Sequence, residues 1–413
     1  MIDLGEYGAR FMKDPYPVYA RLRERGPVHW VRMPAPGAYE CWLVVGYEEA
    51  RAALADPRLS KDSTKTGLTS LEDELMGRHV LVTDPPEHTR LRSLVAGAFT
   101  MRRVAALRPR VQQITDELLD AMLPAGRADL VDSFAYPLPI TVICELLGVP
   151  DIDRAAFRRM SNEIVTPADG VGELAAVKEL AAYLDELIED KRCTAPAGDL
   201  LGDLIRTRAE DGDRLSRGEL RGMAFILLVA GHETTVNLIT NGVHTLLTHP
   251  AQLAALRSDM TLLDGAVEEV LRFEGPVETA TYRYAAEPME IGGRAIAVGD
   301  PVMIGLDAAD RDPAYCPAPH TFDIRRAPRG HLAFGHGVHY CLGAPLARLE
   351  AQIALGSLLE RCPDLALDGP PGEPLPGMLM RGVRHGIHPV HVQHPGESQA
   401  AEAGSDDGDG HDH

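Results

Sequence analysis

The chain has 413 residues, 45% hydrophobic and 25% charged, the balance of an ordinary globular protein. Its 61 acidic residues outnumber 41 basic ones, for a formal net charge of −20. That argues against nucleic acid, which proteins bind by neutralising phosphates, and against anionic membrane surfaces.

Six cysteines with no paired spacing fit a reducing interior. Residues 1–20 hold no continuous apolar run of the kind a leader or anchor needs, so the cytoplasm is the expected compartment. Helical periodicity dominates from there on. Residues 16–25 read as a short helix stopped by Gly26-Pro27. Residues 28–33 and 39–45 alternate apolar and polar side chains, the pattern of a small hairpin. Pro85 opens another helix, which continues through His88 and Arg92. Long amphipathic patterns follow at 103–123, 137–147, 172–192, 217–249 and 344–359. Residues 166–170 and 193–198 break the pattern as loops. Many helices and few short strands predict a mainly α fold with small β-sheets. Residues 1–394 read as one domain without internal repeats. Residues 395–413, small, acidic and Gly-rich, have too few apolar side chains to offset the entropy of ordering and read as a disordered tail.

Three stretches carry chemistry. Within 217–249, the run Ala230-Gly231-His232-Glu233-Thr234-Thr235 follows a strongly apolar segment. Glycine there weakens a helix by roughly 1 kcal/mol relative to alanine, and is expected to open the helix so that a small ligand and waters reach its backbone. Glu233 in such surroundings is costly without solvent or a partner. Downstream, Glu269 and Arg272 share one helix face at i, i+3 and can pair; on a surface such a pair contributes little. The third stretch runs from Phe334 to Gly343 and places Cys341 in a glycine-punctuated loop just before the last helix. Glycine lets a flat ligand approach the backbone closely. The N-terminus of a helix stabilises a thiolate. A thiolate so held is a good axial ligand for haem iron and favours O–O cleavage. A lone cysteine is ordinarily a small buried hydrophobe, and Cys41, Cys144, Cys193, Cys316 and Cys362 read as that.

The spacing F-G-x-G-x-H-x-C-x-G resembles the haem-binding signature of the cytochrome P450 family. A-G-H-E-T resembles the oxygen-activating motif of that family's distal helix, and E-V-L-R between them its structural pair. The resemblance covers residues 4 to 393. It implies the triangular-prism haem-thiolate fold, a monooxygenase activity, and a haem b cofactor with Cys341 as the iron's protein ligand. Phe334, Gly335, Gly343 and Ala230 are then expected against the porphyrin. Thr234 is implied to hydrogen-bond oxygen or its ordered water, and Glu233 to bring protons to it. His88, Arg92, Arg283 and His339 are implied to meet the two propionates. Glu269 and Arg272 are implied to be structural, with His320 of Pro319-His320-Thr321-Phe322 near the place where many relatives carry an arginine.

The likeness is closest to the soluble actinomycete branch that oxidises macrolides and related polyketides. It is carried by Asp14-Pro15-Tyr16, Asp84 to Arg92, Gly231 to Thr235 and Phe334 to Glu350. Hydroxylation or epoxidation of a bulky, largely aliphatic guest is expected. A terpenoid, peptide or aromatic substrate, or a haem-thiolate protein that binds without oxidising, remain the alternatives. Pocket walls are expected from the loop 66–81 with Leu81, the break at 166–170, and Phe225, Leu228, Val229, Val277, Thr279, Met378 and Leu379. Glu72 to Glu74 suit an amino-sugar cation, and Glu278 a polar substrate group. No strand–G-x-G-x-x-G–helix unit is present. NAD(P)H-derived electrons are therefore expected through a separate soluble ferredoxin and its reductase, steered by Arg102, Arg103 and Arg110. A monomer is expected.

Overall fold

The computed structural model describes residues 1–34, 39–66, 75–150, 154–165, 170–194, 198–206, 215–327, 330–369, 374–375, 377–383 and 389–391. Glu72 to Glu74, most of the break at 166–170 and the tail 395–413 lie outside the described residues.

The fold is organised around one helix, Arg217–Thr248, which at 1.5 Å per residue is roughly 48 Å long. It starts at a capping box: Glu219 N–H donates to Ser216 Oγ at 3.2 Å, and Ser216 N–H donates to Glu219 Oε2 at 2.7 Å. Apolar side chains surround it on nearly every face, as a helix enclosed by others requires. Among the described residues it is the one helix long and apolar enough to cross a membrane, but 78% of its apolar window is buried inside the protein, so the packing already accounts for the apolarity. Helices Pro137–Leu147, Gly170–Thr194 and Ala344–Arg361 pack along it. Helix Met101–Met122 in turn lies on Ala344–Arg361. These helices share one continuous apolar core.

The β portion is small, and its largest sheet packs in apolar clusters apart from the main helical core. A six-stranded sheet takes the order β1 (Ile2–Asp3), β2 (Val28–Arg32), β3 (Glu40–Val44), β9 (Pro301–Ile304), β6 (Arg283–Ala285), β4 (Leu59–Ser60). The expected hairpin is β2–β3, antiparallel with Trp30 opposite Trp42 and their rings 5.3 Å apart, edge to face. Strand β5 (Arg127–Asp129) pairs with β11 (Pro389–His391), which also pairs with β10 (Ala366–Leu367). A two-stranded ribbon joins β7 (Met289–Ile291) to β8 (Arg294–Ile296). The sheet matters to the site because β4 and β6 pair antiparallel, Ser60 against Tyr284, which sets Lys61 beside Arg283.

Candidate active site

The loop from Leu332 to Gly343 is folded back on itself by its own backbone. Gly335 N–H donates to Leu332 O at 2.7 Å, and Cys341 N–H donates to Phe334 O at 2.9 Å. Gly335 and Gly337 turn the chain with φ of 72° and 78°. At Gly337 a second constraint applies: a Cβ would stand 2.8 Å from Ala55 Cα, at the end of helix Tyr47–Ala55. Cys341 is thereby held just ahead of helix Ala344–Arg361. Burial among protein atoms pushes its thiol pKa up, while hydrogen bonds from the N–H groups of Gly343 and Ala344, and the charges of Arg92 and Arg348, pull the other way. The residue nevertheless keeps exposed surface, so its side chain borders space that no neighbour fills. Phe334 backs the loop, with the Arg348 guanidinium 4.5 Å above its ring. Arg348 is held by Glu268 through bonds of 2.6 and 2.9 Å.

Four of the expected propionate partners gather at one edge of this loop. His88 and His339 lie ring to ring, 4.3 Å between centroids. His88 is 2% exposed, and neither of its ring nitrogens has a partner. Arg283 is buried, with a marginal 3.5 Å bond to Thr281 O, and burial pushes its pKa down to about 10. Arg92 donates to Tyr340 O at 2.8 Å. A fifth partner, the cation Lys61, escapes sequence reasoning. It is buried and donates to Thr281 O and Tyr282 O at 3.1 and 2.9 Å. Burial, then the neighbouring His88, Lys61 and Arg283, push His339 down to about 3. Orphaned imidazole nitrogens and a desolvated arginine that Asp84 only partly offsets are what an anionic group of two carboxylates would relieve. The residues present fit a haem.

On the central helix, Ala230 is exposed and Thr234, one turn on, is half-buried, so one face opens in the middle of an otherwise buried element. Thr234 Oγ donates back to Ala230 O at 2.9 Å. Gly231 does not open the helix as expected; the helix runs unbroken through it. The glycine instead lets this turn pack closely, because a Cβ would stand 3.0 Å from Ile143 Cδ1 and Cγ1 of the neighbouring helix, which would have to shift. Glu233 is buried, and burial pushes it up to about 7 against the pull of Arg158. His232, 0% exposed, donates from Nδ1 to Leu228 O at 2.8 Å.

The expected pocket walls divide. Leu81, Val277 and Leu379 keep partial exposure. Phe225, Leu228 and Val229 are buried in the helical core, and Met378 in a core cluster beside the sheet. Thr279 is buried, its hydroxyl donating to Met378 O at 2.7 Å. Glu278 points elsewhere than expected. In extended chain it faces opposite to its neighbours, and its Oε1 accepts from Tyr19 at 2.5 Å. It lines a separate cavity of about 410 Å³ with Tyr16, Asn241 and Arg381. The structural pair is as expected in geometry, with Arg272 donating twice to Glu269 at 2.8 Å. Its third member is placed differently. His320 is exposed, and the second cation on Glu269 is Arg326, at 3.1 Å. Arg272 reaches the 319–322 segment through the carbonyls of Pro319 and Thr321 instead.

A thiol presented over a helix start, a cationic cradle beside it and an acid–hydroxyl pair on the central helix define a haem-thiolate oxygenase. The chain belongs to the cytochrome P450 family, whose model matches residues 172–364, and it is a monooxygenase of that family that depends on haem iron, O₂ and a supply of electrons. It is 60% identical over 390 residues to cytochrome P450 monooxygenase PikC of Streptomyces venezuelae, covering 93% of each chain. It is 43% identical over 377 residues to the mycinamicin IV hydroxylase/epoxidase of Micromonospora griseorubida, covering 88% of this chain and 92% of that one. Among solved structures, the tirandamycin C-bound P450 monooxygenase TamI superposes with a TM-score of 0.87 at 45% identity, over 95% of this chain and 100% of the other.

Proposed function

We propose that this monooxygenase inserts one oxygen atom, as a hydroxyl or an epoxide, into a bulky and largely aliphatic polyketide, a macrolide or a close relative. It would act as a cytoplasmic monomer, with electrons passed from NAD(P)H by a reductase and a soluble ferredoxin. The observation that carries the chemistry is Cys341 on its loop together with Glu233 and Thr234 on the open face of the central helix. The observation that carries the substrate class is the 43% identity, over 88% of the chain, to an enzyme named mycinamicin IV hydroxylase/epoxidase, beside the likeness to the tirandamycin C-bound TamI structure.

Haem, when bound, supplies the iron centre at which dioxygen is split. The chain's residues do the rest. Cys341 Sγ would be the iron's protein ligand, and the N–H groups of Gly343 and Ala344 favour its thiolate form against the upward push of burial. Arg92, Arg283, Lys61, His88 and His339 would seat the carboxylate edge, and Phe334, Gly335, Gly343 and Ala230 would lie against the flat ring. The Thr234 proton is committed to Ala230 O, so the oxygen lone pairs on Thr234 are left to accept from the open side. Glu233 holds its carboxyl proton near neutrality and delivers it toward that side, then takes another from solvent. Leu81, Val277 and Leu379 give the guest apolar walls.

Two measurements test this. Carbon monoxide added to the reduced protein should give the red-shifted Soret band of thiolate ligation, and Cys341→Ala should abolish it. An alanine variant with an unchanged band would remove the proposed ligand. A panel of macrolactones, terpenoids and peptides incubated with ferredoxin, reductase and NADPH should yield a product one oxygen heavier from the macrolactones. Turnover of terpenoids or peptides alone would overturn the substrate class and leave the chemistry standing.

A further inference from the structure

The acid of the central helix has an unassigned neighbour. His232 is fully buried between the rings of Phe157 and Tyr136, whose centroids lie 5.2 and 5.8 Å away. Its Nδ1 is 2.8 Å from Leu228 O, and a carbonyl can only accept, so Nδ1 carries the proton. Burial keeps the ring neutral, with its pKa near 4. Nε2 is therefore a bare acceptor. Two groups compete for it: Ser161 Oγ at 3.1 Å and Glu233 Oε2 at 3.5 Å. Ser161 is 0% exposed and sits on a different element, helix Arg154–Val165. A serine hydroxyl can always donate to that lone pair. Glu233 can donate only when protonated; ionised, it faces a lone pair with a negative charge.

We propose that His232 is the positioning residue for Glu233, and that Ser161 tunes it by competing for the single acceptor Nε2. With Ser161 seated, the imidazole is occupied and the glutamic acid proton is freer to leave. With Ser161 withdrawn, the imidazole accepts from the acid and holds its proton. Helix Arg154–Val165 thus couples its own seating on the central helix to the readiness of the proton donor. The other charges facing the pair are Arg158 of the same helix and Asp132, joined to it at 2.6 Å; Arg158 also lies 4.4 Å over the Tyr136 ring. Helix Pro137–Leu147 meets this turn with Ile143, which is apolar. Nothing else charged in the described residues competes for Nε2. The inference rests on Glu233 being the proton donor, and deepens that reading.

The test is an infrared titration of the Glu233 carboxyl band in the haem-loaded protein, identified by its absence in Glu233→Gln. Ser161→Ala should raise the midpoint by about 0.7 of a pH unit, a roughly fivefold gain in proton affinity, the equivalent of one net hydrogen bond. Ser161→Thr, which keeps the hydroxyl, should restore it. In a His232→Phe background the Ser161→Ala change should move nothing, which separates competition for Nε2 from a general loosening of the helix. The pH at which electron use and product formation uncouple should move with the band. A midpoint unmoved by Ser161→Ala, or moved equally without the imidazole, overturns the proposal. If Glu233→Gln stays fully coupled while the band shifts as expected, the proton-donor role falls and the competition for Nε2 stands.

Discussion

Glu233 concentrates the energetics of the site in one side chain. Its ordinary carboxyl value is near 4.5, and burial lifts it to about 7 in the folded protein. Below about 4.5 the group is neutral whether the chain is folded or not, and it has no effect on stability. Between 4.5 and 7 the unfolded chain releases its proton first, so the native state loses stability as pH rises. Above 7 the full penalty is present, about 3 kcal/mol by linkage. Glu233→Gln removes that dependence. Urea unfolding of the two proteins should therefore differ by a pH-dependent amount that favours the glutamine variant, absent near pH 4.5 and growing to about 3 kcal/mol by pH 8. A difference that stays flat across that range would mean the acid is already ionised and solvated, unsuited to holding a proton for delivery. Thr234→Ala tests the partner: it should leave the stability profile alone and uncouple electron consumption from product by about tenfold or more. Coupling that survives the substitution would remove the hydroxyl from the proton route.

At the level of elements, the Glu269–Arg272–Arg326 cluster fixes helix Leu263–Phe273 to the chain that leads into the Cys341 loop. The Glu269 side chain is 3% exposed, so each cation on it matters more than a surface pair. Arg326→Ala should cost about 1–3 kcal/mol, and Arg272→Ala about 3–5 kcal/mol. His320→Ala at an exposed position should stay within about 0.5 kcal/mol. Denaturant midpoints of the three haem-loaded variants rank them; a larger loss at His320 than at Arg326 would overturn the assignment. The sequence could not show Arg326 because its distance from Glu269 is set by the turns at 310–326, and no periodicity records those. The same limit explains Lys61, which meets Arg283 only through a strand pairing across more than 200 residues. The long helices Pro137–Leu147, Arg217–Thr248 and Ala344–Arg361 are legible because each sustains helix-forming residues over three or more turns, although Arg217–Thr248 proves apolar on nearly every face and not amphipathic. Tyr47–Ala55 and Pro250–Ser258 are too short for that. In sequence, a glycine inside a helix looks alike whether it breaks the helix, as expected of Gly231, or lies close against Ile143, as Gly231 does.

For the molecule as a whole, a net charge of −20 sets a problem for any acidic electron donor, because repulsion must be overcome locally. Helix Met101–Met122 offers the means. It runs in the same direction as Ala344–Arg361, as the contact of Gln112 with Ser357 at 2.8 Å and that of Arg361 with Asp120 at 2.5 Å require. Its first turn therefore lies toward the Cys341 end. Arg102 and Arg103 are exposed there. Arg110, two turns further on, is engaged by Glu145 through bonds of 2.9 and 2.6 Å, so its charge is compensated. Of the three arginines expected to steer a ferredoxin, the first two should do so and the third should not. Reversing both, Arg102→Glu with Arg103→Glu, should slow electron transfer from an acidic ferredoxin by about tenfold at low salt. The deficit should shrink as salt shortens the screening length to about 10 Å or less. Arg110→Ala should change the rate little, and reduction by dithionite should be the same in all three proteins. An equal loss at Arg110, or a deficit indifferent to salt, would place the donor's approach on another face of the molecule.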